Sequence, residues 1–138
     1  MKILAFVLLI STSLFAGEFQ RIANKIYSQC GDLLDNFNIS QICKTPSKNI
    51  YLVYGGGGGG SNQYPGVKMA AMYLKPMSNG CSVSETIRLG WDHKKDILVA
   101  RDNKDEWLSL PYEGGRGFHR KGNQEIILNC SIMDSNSF

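Results

Sequence analysis

The chain is short of the residues that most metal and haem sites use. It has two histidines, His93 and His119, and its four cysteines form no Cys-x-x-Cys pair. Zinc-ribbon spacing and covalent haem attachment are thereby excluded, and neither a metal nor a cofactor is expected. No Gly-x-Ser-x-Gly elbow and no His-Glu-x-x-His helix occurs, so the common hydrolase signatures are missing. Long apolar runs are missing too, since none approaches the roughly 20 residues a membrane-spanning helix needs. Neither sign of charge dominates. A formal net charge of +3 gives no reason to expect a polyanion, and nucleic acid is not the expected partner.

What is present begins at the N-terminus. Lys2 precedes an apolar run from Ile3 to Ile10, Ser11 to Ser13 turns polar, and Leu14-Phe15-Ala16 ends on a small residue. This is the pattern of a secretion signal over residues 1–16, cut between Ala16 and Gly17. Residues 17–138 then make a single small domain. All four cysteines, Cys30, Cys43, Cys81 and Cys130, follow the cut. An even cysteine count in an exported chain reads as a disulfide framework, which persists only in an oxidising compartment. A secreted or periplasmic location is expected. Sequence alone leaves the pairing open. We expect Cys30–Cys43, closing a local loop, and Cys81–Cys130, tying an early strand to the last one.

Phe19, Ile22, Ala23, Ile26, Tyr27 and Cys30 recur at helical steps and predict an amphipathic helix that Gly31 stops. Cys43 to Ser47 reads as a connector, and Asn49 to Tyr54 as a strand. The glycine run from Gly55 to Gly60, continued to Gln63, predicts a flexible loop over residues 55–63. Val67 to Leu74 fits helix and strand equally. Val83, Glu85, Ile87, Leu89 and Trp91 share one face of a strand. Further strands follow at Asp96 to Arg101, Glu106 to Leu110 and Gln124 to Met133, while Gly114 to Gly117 reads as a loop. The expected fold is α+β: the N-terminal helix packed on an antiparallel β-meander, stapled by two disulfides.

One segment concentrates chemistry. Glu113 to Lys121 holds a carboxylate, an imidazole and three cations, Arg116, Arg120 and Lys121. Gly114-Gly115-Arg116-Gly117-Phe118 and Lys121-Gly122 are faintly similar to the Ser-Gly-x-Arg-Tyr loop and Lys-Gly pair of the periplasmic lysozyme inhibitors, which are small disulfide-linked β-barrels. The serine is absent here, the arginine is displaced and the two parts lie closer together, so this short likeness assigns no family. As a recognition surface, Arg116, Phe118, Arg120 and Lys121 supply residue types common at interfaces. The leading expectation is therefore an exported, non-enzymatic binding protein: an inhibitor, an adhesin or an accessory factor of a surface or envelope assembly. Its partner would be a protein or an envelope or host macromolecule. The alternative is a small secreted hydrolase, a ribonuclease, with Glu113 or His93 as base, His119 as acid and the cations on phosphate.

Overall fold

The strand expected at Val83 to Trp91 is one of eight, and the sheet they make closes on itself. In the computed structural model, residues 17–35, 37–56 and 69–133 are described. Residues 17–30 form helix α1, followed by a 3-10 turn at Gly31–Leu34. Eight strands then follow: β1 (Asn38–Lys44), β2 (Tyr51–Gly56), β3 (Met69–Met77), β4 (Gly80–Asp92), β5 (Ile97–Ala100), β6 (Glu106–Ser109), β7 (Gly115–Lys121) and β8 (Gln124–Ile132). Each pairs antiparallel with its sequence neighbour, and β1 also pairs with β8. The meander of the sequence reading is thus a closed up-and-down barrel. Closure leaves no free sheet edge.

Two apolar cores share the same strands. Inside the barrel lie Leu52, Ala71, Tyr73, Ile87, Leu89, Leu98, Leu108 and Leu128. Outside it, α1 lays Ile22, Ala23, Ile26 and Cys30 over Ile42, Val53, Ala70, Met72 and Leu74. This resolves the ambiguity of Val67 to Leu74. β3 is sandwiched between the barrel interior and α1, so both its faces are apolar and the period-2 signal vanishes.

Several expectations need correction. Asn38–Lys44 is a strand that no regular alternation announced. A β-bulge between Ile39 and Gln41 puts Ile39 and Ile42 under α1 while Cys43 faces the barrel interior. Gly55 and Gly56 belong to β2 rather than to a loop, and the rest of the 55–63 run lies outside the described residues. A Cβ on Gly55 would collide with the Asn38 carbonyl, so glycine is required there by close approach of two backbones. The signal over residues 1–16 also lies outside the described residues.

The disulfides are Cys30–Cys81 and Cys43–Cys130, not the expected pairs. Cys43 on β1 stands opposite Cys130 on β8, so that bridge crosses the seam where the barrel closes. Cys30 ends α1 and is tied to Cys81 near the start of β4, stapling the helix to the sheet beneath it. No cysteine is free. No helix among the described residues is long and apolar enough to cross a membrane.

Candidate functional site

The segment Glu113 to Lys121 is mainly strand. A turn at Pro111, closed by the Gly114 amide donating to the Pro111 carbonyl at 3.2 Å, feeds directly into β7. Strand alternation then sorts the candidate residues onto two faces. Arg116, Phe118 and Arg120 point outward, and Gly117 and His119 point into the barrel. Gly117 is not a hinge. A Cβ there would sit 2.8 Å from the Ser109 carbonyl oxygen and 3.3 Å from Leu110 and Pro111, so glycine lets β7 lie against β6.

On the outer face, the register sets Trp107 of β6 beside Arg120, and Phe118 beside Ile127 of β8. The Arg120 guanidinium lies 6.0 Å from the Trp107 ring centre, and the Arg116 guanidinium lies 5.6 Å from that of Phe118. Cation–π contact at this range holds each arginine against an aromatic ring without burying its charge. Ile127 is 45% exposed within the same patch. Lys121, at the strand end, is also exposed and faces Glu85 at 3.6 Å. The four predicted binding residues therefore sit along one strand, and three share one face with Trp107 and Ile127.

The inner face holds a polar chain. His119, 2% exposed, has Nδ1 2.6 Å from the Tyr73 hydroxyl and Nε2 2.7 Å from Glu106 Oε2. With the ring proton on Nε2, that nitrogen donates to Glu106 and the Tyr73 hydroxyl donates to Nδ1. Both nitrogens are satisfied, as a buried imidazole requires. Burial is the main cause pushing the Tyr73 phenol above its ordinary range, with the charges of Glu85 and Glu106 adding to it. Glu85, Glu106 and His119 bring one ligand atom each to within 4.8 Å of one another.

The residues of a nuclease site are not brought together. Glu113 is exposed in the β6–β7 connection and His93 is exposed in the β4–β5 turn, which an up-and-down barrel places at one end. His119 lies inside, near the other end, where Gly122 at the β7–β8 turn meets Asp105. Its partners Tyr73 and Glu106 escaped the sequence reading, although a signal existed. Glu85 fell on the apolar face of its strand, and Glu106 alternates with Leu108. A charged group on an inward face needs a partner there.

No family profile, no curated protein and no solved structure matches the chain.

Proposed function

We propose that this is an exported binding protein that recognises a macromolecular partner through the outer face of β6, β7 and β8. The observation that carries the reading is the alternation of β7, which turns Arg116, Phe118 and Arg120 outward and seals His119 inside. Trp107, Phe118 and Ile127 supply an apolar centre, and Arg116 and Arg120 supply flanking donors already held against aromatic rings. Aromatic and arginine side chains of limited freedom are what hot spots use, because little entropy is lost when they engage. The partner is a protein or an envelope or host macromolecule. The two disulfides and the N-terminal pattern support a secreted or periplasmic setting.

The hydrolase alternative loses support from the same geometry. An acid at His119 would have to reach substrate from a ring that is 2% exposed and bonded at both nitrogens. The test uses partners captured on the mature, oxidised protein from its own envelope or culture fluid. Arg116→Ala and Phe118→Ala should each weaken the captured interaction by about 1–3 kcal/mol while leaving thermal unfolding in place. RNA cleavage by the purified protein, or capture that survives both substitutions, would overturn the reading.

A further inference from the structure

We propose that Glu85, Glu106 and His119 form a divalent-cation site inside the barrel, suited to zinc. The site is separate from the outward surface described above and does not depend on it. The three side chains come from β4, β6 and β7, and their ligand atoms lie within 4.8 Å of one another. One imidazole nitrogen and two carboxylates make a donor set that zinc accepts, with room for a further oxygen ligand. Two of the three, Glu106 and His119, are buried on strands of a closed barrel, which is the kind of support that holds ligands in place.

The surroundings of the ring fit this use. A metal-bound histidine almost always gives its other nitrogen to a partner, and Tyr73 supplies one at 2.6 Å from Nδ1. A tyrosine hydroxyl can donate or accept. Moving the ring proton from Nε2 to Nδ1 therefore keeps the Tyr73 bond and frees Nε2 for the metal, with no proton gained or lost. Glu106 Oε2, now 2.7 Å from Nε2, would pass from accepting that proton to sharing the cation.

Charge and access point the same way. Two carboxylates, Glu85 and Glu106, converge on His119 at this end of the barrel. The positive charge paired with Glu85 is Lys121, at 3.6 Å and more than half exposed, where water screens it. A divalent ion would balance both carboxylates at close range. A pocket of about 380 Å³, lined by Tyr73, Ser84, Glu85, Ile126 and the Thr45–Ser47 segment, opens beside the cluster and supplies a route in.

The competing account treats Tyr73, His119 and Glu106 as a closed hydrogen-bond chain that only stiffens the barrel. It leaves Glu85 only its screened ion pair with Lys121. Calorimetric titration of zinc chloride into the oxidised protein separates the two. We expect one saturable equivalent and a thermal midpoint that rises with zinc. Glu85→Gln, at a half-exposed position outside the closed chain, should fold normally and weaken binding by about tenfold or more, near 1.4 kcal/mol. Tyr73→Phe, which keeps the ring and removes the partner of Nδ1, should weaken it by about 10- to 100-fold. His93→Ala should leave it unchanged. No saturable binding up to about 1 mM zinc, which is only about 4 kcal/mol, would overturn the proposal. Binding that Glu85→Gln and Tyr73→Phe both leave intact, or that His93→Ala removes, would overturn it equally.

Discussion

At the scale of single residues, the interior of this barrel is decided by how its few polar groups are satisfied. Tyr73 is buried, at 6% exposed, and lies near the charges of Glu85 and Glu106, so its phenol keeps its proton to higher pH than an unfolded tyrosine does. The sign follows from linkage. A raised folded pKa means that the unfolded chain loses this proton first, near pH 10, while the native state still holds it. Stability from this group is intact below about pH 10 and falls as pH rises beyond it, by at most about 1.4 kcal/mol per pH unit. Tyr27 and Tyr54 are raised by burial as well and steepen the same limb. Urea midpoints collected from about pH 8 to about pH 11, the span around an ordinary phenol, should therefore fall less steeply in Tyr73→Phe than in the native protein. An unchanged slope would mean that Tyr73 ionises in the native state as freely as in the unfolded one.

At the scale of elements, what was legible depended on whether a strand had one apolar face or two. β4 is legible from Glu85 to Leu89, where Ile87 and Leu89 point inward, but a register shift at Ser84 turns Val83 to the outer side against α1, so Val83 does not share their face. β3 was ambiguous because α1 covers its outer side. β1 was missed because a bulge shifts its register halfway along. Gly114 to Gly117 reads as a loop because its glycines suggest freedom, whereas Gly115 to Gly117 open β7 and Gly117 is there for want of space. The buried positions of β7 are Gly117 and His119, so no apolar alternation marks the strand. The spatial argument has a measurable consequence. Gly117→Ala sets a methyl 2.8 Å from the Ser109 carbonyl oxygen, and that neighbour is backbone. Overpacking of this kind costs about 1–3 kcal/mol, and the chemical denaturation midpoint should fall accordingly. A neutral or stabilising alanine would show that β6 and β7 part easily, and that Gly117 was serving flexibility after all.

At the scale of the whole molecule, the central fact is closure, and closure is the event that sequence reveals least. The bond between β1 and β8 joins the most distant strands of the chain, so no local pattern announces it. The expected Cys30–Cys43 pair rested on the short loop between them. The observed bridges instead follow the barrel, spanning 51 and 87 residues. Loop-closure entropy grows only with the logarithm of length, so the two bridges should each restrain the unfolded chain by about 4–5 kcal/mol. Their difference must lie in the native state. Cys43 and Cys130 are buried at the barrel seam, whereas Cys30–Cys81 ties a helix onto a barrel already closed. Amide exchange on the two double alanine variants makes the distinction. Cys43→Ala with Cys130→Ala should loosen the β1–β8 pairing and cost more in global stability. Cys30→Ala with Cys81→Ala should speed exchange over residues 17–30 while β1 and β8 stay protected. Equal losses spread evenly over both variants would mean that the bridges act only on the unfolded chain. In that case the barrel would close without help from the seam disulfide.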